Sequence, residues 1–268
     1  MNILIPMAGA GQRFKDAGYT VHKPAIMTTD YRDGIKKPMV VCATMDLPDV
    51  ESNGANVIYV DRDFHKIDGV EAEIKKYMPE CKFITTNHLT DGQAATCLLA
   101  EKYINNDLPL LIAGCDNGML FDLQEYRSEC RTSDVLVFTY RHNEAVVENP
   151  NAYGWVKTDE DKNITGLSIK KAISDNPKED HAIVATFWFK KGRYFVEAAK
   201  QMIEDDDRIN GEFYVDEVIK YTISMGLRVR VFEIDRYLGW GTPKDYENYE
   251  KTLAYWRGFV ESDYFIGM

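Results

Sequence analysis

The chain has 268 residues, a formal net charge of -11, 45% hydrophobic and 28% charged residues. That length suffices for a buried core, and the acidic balance excludes a sequence-independent nucleic-acid binder, which needs a basic face to displace counterions from phosphates. Any polyphosphate must then be held by a few placed cations and Mg²⁺ rather than by the overall field.

Asn2 to Met7 is a short apolar run closed by small residues, the pattern of a buried strand. Ala55 to Asp61, Lys82 to Thr86, Leu108 to Ala113, Asp134 to Tyr140 and Leu227 to Ile234 read the same way. Helical stretches lie between them at Phe64 to Met78, Ala94 to Ile104, Leu123 to Arg131 and Arg193 to Glu204, followed by Val215 to Met225 and Pro243 to Phe259. Thr242 and Pro243 supply the cap and first position of the last helix. Strands alternating with helices predict an α/β fold with a mixed, mainly parallel central sheet flanked by helices. Tyr153 to Trp188 departs from this alternation, with β-rich patches and turn signals at Asp159 to Asn163 and Ser174 to Lys178. This region, roughly residues 151–190, is expected to be an antiparallel β excursion laid over the sheet. No repeat or linker interrupts the chain, so residues 1–268 are expected to form a single domain.

Cys42, Cys81, Cys97, Cys115 and Cys130 are scattered and odd in number, without C-x-x-C spacing. That suits reduced thiols in a cytoplasmic protein, most of them small core residues. No apolar run reaches the roughly 18 residues of a membrane span, and the N-terminus lacks the basic segment of a signal peptide.

In such sheets ligands sit at the carboxyl ends of strands, so the loops after the strands carry the chemistry. The first is Pro6-Met7-Ala8-Gly9-Ala10-Gly11-Gln12-Arg13-Phe14. Small residues from Ala8 to Gly11 let backbone N–H groups approach a polyphosphate. A dinucleotide fingerprint would need a third glycine where this chain has Phe14, and a sound helix directly after it, which Gly18 interrupts. Arg13 and Lys23 can converge on phosphate oxygens and offset charge on a leaving pyrophosphate, although either alone could be a solvated surface charge. Asp91-Gly92-Gln93-Ala94-Ala95-Thr96 places a glycine and an amide at a helix start, where they can meet a planar base edge; the alternative is a helix cap made by Asp91. The apolar strand ending Ala113-Gly114-Cys115-Asp116-Asn117 delivers a carboxylate suited to Mg²⁺, or else merely a turn aspartate.

On these pieces, together with Lys23-Pro24, Asn210-to-Val215 and Gly241-to-Asp245, the chain resembles the nucleotidyltransferases that activate sugar phosphates and related small phosphates. The resemblance spans nearly the whole chain and implies a Rossmann-like, glycosyltransferase-A-like fold. The opening is especially similar to the branch associated with capsule or cell-surface polysaccharide biosynthesis. It implies that Ala8, Gly9, Ala10, Gly11 and Arg13 bind the triphosphate and Lys23 supports the phosphates at the reacting centre. It further implies that Gly92 and Gln93 read the base and that Asp116 holds Mg²⁺. Lys171 matches a lysine that holds the acceptor phosphate, and Gly154 and Glu212 match acceptor-binding positions.

Departures bear on the acceptor. Where such proteins carry a glutamate that grips sugar hydroxyls, this chain has Lys170, which cannot accept hydrogen bonds. Asn210 replaces a frequent arginine, and Gly239 replaces an expected metal-binding aspartate. Asp235 is the nearest substitute ligand, with Glu233, Glu212 and Asp216 behind it. The expected reaction is transfer of NMP from an NTP, with CTP slightly favoured, to a small phosphorylated acceptor, sugar or not, with release of pyrophosphate. A glycosyltransferase using a nucleotide-sugar donor and a catalytically silent nucleotide sensor are the alternatives. The aromatic stretch Tyr255 to Phe265 could support a homo-oligomer.

Overall fold

In the computed structural model, residues 1–52 and 54–260 are described. Thirteen strands occur among them: β1 (Asn2–Pro6), β2 (Met27–Thr29), β3 (Lys36–Pro38), β4 (Asn56–Arg62), β5 (Lys82–Thr86), β6 (Leu110–Ile112), β7 (Asn117–Leu120), β8 (Val135–Tyr140), β9 (Gly154–Thr158), β10 (Ile164–Ile169), β11 (His181–Phe189), β12 (Val229–Glu233) and β13 (Arg236–Gly239). The central sheet is mixed. β5, β4, β1 and β6 run parallel in that order, and β8 and β12 form a second parallel pair. Between these two blocks lies β11, antiparallel to both β6 and β8.

β1 shows why the apolar runs form buried strands. Ile3 and Ile5 pack into the core on one face of the sheet and Leu4 into the core on the other, all fully buried. A strand covered on both faces needs no polar alternation. One face is covered by the helices Gln93–Leu98, Gly192–Glu204 and Val215–Ser224, the other by Met39–Met45, Val70–Tyr77 and Leu123–Thr132.

Two expected helices are each broken in two. The first divides into Asp63–Ile67 and Val70–Tyr77 at Gly69, whose φ of 75° ends the first segment. The second divides into Gln93–Leu98 and Glu101–Ile104. The excursion also differs from expectation. β9 and β10 do not lie over the sheet; they extend it in its own plane, with β9 pairing the first residues of β11. β11 is long enough to serve both regions because its register shifts between Ile183 and Phe187, at a bulge where Ala185 has φ 58°. The antiparallel ribbons β2–β3 and β7–β13 and the helix Met39–Met45 have no counterpart in the sequence reading.

A third, smaller core lies under the first loop, where Phe14, Ile26, Met39, Cys42 and Trp240 are buried together. Phe14, the residue incompatible with a dinucleotide fingerprint, is thus the anchor of the loop. The helix after it spans only Gln12–Asp16. Among the described residues no helix is long and apolar enough to cross a membrane.

Candidate active site

The carboxyl ends of β1 and β6 open into a cavity of about 1060 Å³. Its walls include Ala8, Gly9, Ala10, Gly11, Arg13 and Lys23 from the start of the chain, Gly92 and Gln93, and Asp116. Gly154, Lys170 and Glu212 complete the set of expected residues that it gathers. Twelve of the fourteen candidate positions therefore share one space, although they come from loops far apart in sequence.

The first loop turns at Gly11, whose φ of 62° opens the helix Gln12–Asp16. Gly9 and Ala10 are exposed to the cavity while Ala8 is buried behind them. Lys23 begins a short 3₁₀ turn containing Pro24, and its ammonium bonds to Asp116 Oδ2 and donates to the Gly241 carbonyl oxygen at 3.2 Å. Although burial disfavours its charge, the neighbouring Asp116 more than compensates, and the net effect raises the Lys23 pKa above that of an ordinary lysine. Lys23 is therefore a fixed cation.

Asp116 is placed from two sides. The Gly114 N–H donates to the carbonyl oxygen of Ala185 at the β11 bulge (3.1 Å), and the Trp240 N–H donates to the Asp116 carbonyl oxygen (3.0 Å). The bulge thus serves the site, and no glycine in the sequence marks it. Cys115 is half-buried, lines the same cavity and carries a thiol pushed up to about 12 by burial, so it is an unreactive wall residue.

Gly92 is held by main-chain bonds to the segment that carries Glu212. Phe213 N–H donates to Asp91 O at 2.7 Å and Ala94 N–H donates to Phe213 O at 2.9 Å. With φ at 117°, a Cβ on Gly92 would stand 2.6 Å from the Phe213 backbone. Asp91 does not cap the helix: its carboxylate accepts from Arg208 at 3.2 Å, and no side chain caps the helix start. That removes the simple capping explanation for the motif.

Two expected residues are not brought to the cavity. Lys171 is exposed, whereas Lys170 points inward. The cause is local: Lys170 follows β10 with φ 56°, donates its N–H to Tyr153 O at 2.9 Å, and turns its ammonium to Ala152 O above the Tyr214 ring. The next side chain then faces solvent. Asp235 is likewise exposed and belongs to a separate polar cavity with Arg141, His181 and Glu233. Its N–H donates to Leu120 O at 2.9 Å, which sets it at the far end of the β7–β13 ribbon from Asn117 and Gly239. At the position where an aspartate was expected, a Cβ on Gly239 would stand 2.8 Å from Cε1 of Tyr237. The Tyr237 ring, stacked on Tyr140 at 4.4 Å, occupies that space.

Asp216, named in the sequence only behind Asp235 as a substitute ligand, also lines the cavity, as do Asp245 and Tyr237, the last without having been singled out. Asp245 lies in the helix Pro243–Val260, whose start is closed by a reciprocal pair: Thr242 Oγ1 accepts from Asp245 N–H at 3.2 Å and donates to its carboxylate at 2.6 Å. Among the described residues no group of three or more His, Cys, Asp or Glu side chains could by itself hold a metal ion. The donor set nevertheless suits a Mg²⁺ carried in by a polyphosphate, because Mg²⁺ keeps several waters and needs only one or two carboxylates besides phosphate oxygens.

No protein-family model matches the chain, and no curated protein matches it. Solved structures do. The nucleoside-diphosphate-sugar pyrophosphorylase from Vibrio cholerae RC9 superposes with a TM-score of 0.71 at 17% identity, over 93% of this chain and 99% of that one. The inositol-1-phosphate CTP transferase from T. maritima gives 0.67 at 15% identity, over 93% and 95%. HddC from Yersinia pseudotuberculosis complexed with GMP-PN gives 0.62 at 17% identity, over 94% and 98%. At such identities the likeness carries the fold: an α/β molecule with a large, mainly parallel central sheet.

Proposed function

We propose that this chain is a single-domain, Mg²⁺-dependent nucleotidyltransferase that transfers NMP from an NTP to a small phosphorylated acceptor and releases pyrophosphate. The observation that carries this is the Lys23–Asp116 pair standing in one cavity between the Gly9–Gly11 loop and Lys170. A cation and a carboxylate at that junction suit transfer of a nucleotidyl group from one phosphate to another. The similarity to folds named for pyrophosphorylase and CTP-transferase activity supports the same reading.

An acceptor phosphate oxygen attacks the NTP α-phosphorus in line, the bond to the β-phosphate oxygen breaks, and pyrophosphate leaves. The acceptor is anionic at neutral pH, so no general base is required. Arg13 and Lys23 offset charge on the departing pyrophosphate, Asp116 would hold Mg²⁺, and Gly92 with Gln93 binds the base, CTP being slightly favoured. Bound Mg²⁺ would supply further neutralisation of phosphate charge. Lys170, not Lys171, holds the acceptor phosphate. Gly154 and Glu212 complete that end of the cavity. Cytoplasmic activation of a building block for a cell-surface polysaccharide is consistent with this chemistry, and the exposed Tyr255 and Trp256 offer a face for self-association. Tyr264 and Phe265 of that aromatic stretch lie outside the described residues.

The test is a pyrophosphate-release screen of CTP, UTP, dTTP and GTP against sugar and non-sugar phosphates. Release with at least one pair is expected. Nucleoside diphosphate released from a nucleotide sugar, or saturable NTP binding with no turnover, would refute the proposal.

A further inference from the structure

Lys170 stands where a carboxylate was expected, so that position offers the body of the ligand no hydrogen-bond acceptor. Another element supplies one. Burial lowers the Lys170 pKa, and Asp216, in the first turn of the helix Val215–Ser224 and lining the cavity, is the first of the carboxylates that oppose this, ahead of Glu212 and Asp116. Its carboxylate lies against the start of β9: a Cβ on Gly154 would stand 2.5 Å from Asp216 Oδ1. Gly154 and Asp216 are in contact and the Lys170 N–H is bonded to Tyr153 beside them, so two strand ends and a helix converge on this part of the cavity.

An acidic residue in a first helical turn is ordinarily explained by the helix dipole. That accounts for neither its burial nor its orientation. Asp216 is only half-exposed, and its open surface faces the cavity. Among the described residues no other side chain hydrogen-bonds its carboxylate, while its own backbone N–H favours the charged form. Burial raises its pKa and Lys170 opposes that rise. A half-buried carboxylate that accepts from no other side chain and opens onto the cavity is free to accept a hydrogen bond from a ligand there.

The geometry points to Asp216 as the acceptor-specificity residue: it accepts a hydrogen bond from a hydroxyl or ammonium group on the acceptor while Lys170 holds the phosphate of the same molecule. The substrate class is therefore a small phosphate that carries a hydrogen-bond donor a few bonds from its phosphorus. This rests on the proposed division of the cavity into an NTP end and an acceptor end. The lost glutamate is thereby replaced in function from a different part of the chain, with lysine and carboxylate drawn from different elements.

The test measures binding by calorimetry with three probes of similar size, ethyl phosphate, 2-hydroxyethyl phosphate and 2-aminoethyl phosphate, each in the presence of a non-hydrolysable NTP analogue and Mg²⁺. The wild type is expected to bind at least one donor-bearing probe about tenfold or more tightly than ethyl phosphate, the scale of a hydrogen bond to a buried charge. The hydroxyl and ammonium arms identify which donor is used. In Asp216→Asn that preference should shrink severalfold or vanish while affinity for the NTP analogue stays unchanged. Gly154→Ala, which displaces the Asp216 carboxylate without removing its charge, should also reduce the preference. Equal binding of all three probes, no binding of any at millimolar concentration, or a preference that survives in both variants would overturn the assignment. Pyrophosphate release is scored separately with hydrolysable NTP. Donor preference without release would refute nucleotidyl transfer and leave the role of Asp216 standing.

Discussion

The ammonium of Lys23 bonds to Asp116 and to the carbonyl oxygen of Gly241, so a residue of the first loop is locked to the end of β6 and to the turn that starts the last helix. Both side chains are mostly buried, 18% and 30% exposed. Asp116→Ala and Lys23→Met should each reduce pyrophosphate release by about 10²–10³-fold, the usual cost of removing one charge-stabilising group. Circular dichroism should show a retained fold. Near wild-type release by folded Asp116→Ala would remove Asp116 from the mechanism.

Chelation by EDTA should abolish turnover, and added Mg²⁺ should restore it. Because Asp235 faces a different cavity, Asp235→Ala should keep its Mg²⁺ half-saturation within about twofold of wild type, as expected of a surface change away from the ligand. A shift of tenfold or more would reinstate Asp235 as a metal ligand.

Gly92→Ala should lower the stability measured from urea midpoints by about 1–3 kcal/mol. Its φ of 117° suits glycine, and the new Cβ would meet the Phe213 backbone. Gln93→Ala, in contrast, should leave the midpoint unchanged and weaken NTP binding. Equal midpoints for wild type and Gly92→Ala would show that this junction yields freely.

Asp46, at the end of the helix Met39–Met45, gives a pH-dependent signature. Burial pushes its carboxyl up to about 7, against the opposing effects of Arg32 and the Met119 N–H donor. Oδ1 has no hydrogen-bond partner among the described residues. The folded state then holds a proton that the unfolded state has lost, so this group's contribution to stability falls as pH rises from about 4 to about 7 and is level above that. The melting temperature of Asp46→Asn relative to wild type should rise through that window. A difference independent of pH would contradict the assignment.

Strand positions in the central sheet were legible because strands buried on both faces need continuous apolar runs, and Leu110 to Ile112 and Val135 to Tyr140 satisfy that requirement. That Gly11, Arg13, Lys23 and Asp116 share one cavity was legible because small residues and charges at strand ends gather where a mainly parallel sheet opens. The inward turn of Lys170 was not legible, since it follows from a left-handed backbone at a lysine, where no glycine announces it. The same holds for the Ala185 bulge that supports Gly114. The Tyr237 ring that fills the space beside Gly239 is stacked on Tyr140, nearly a hundred positions away, which local pattern does not encode.

The bond from Lys23 to Gly241 joins residues 218 positions apart, and Tyr249 adds a second tie to Thr29 O at 2.6 Å. The cavity is therefore enclosed by the two ends of the described chain. During synthesis Lys23 lacks this partner until the turn at Gly241, 218 residues later, has been made. A nascent chain stopped short of that turn would carry the Gly9–Gly11 loop and Asp116 and lack the carbonyl that steadies Lys23.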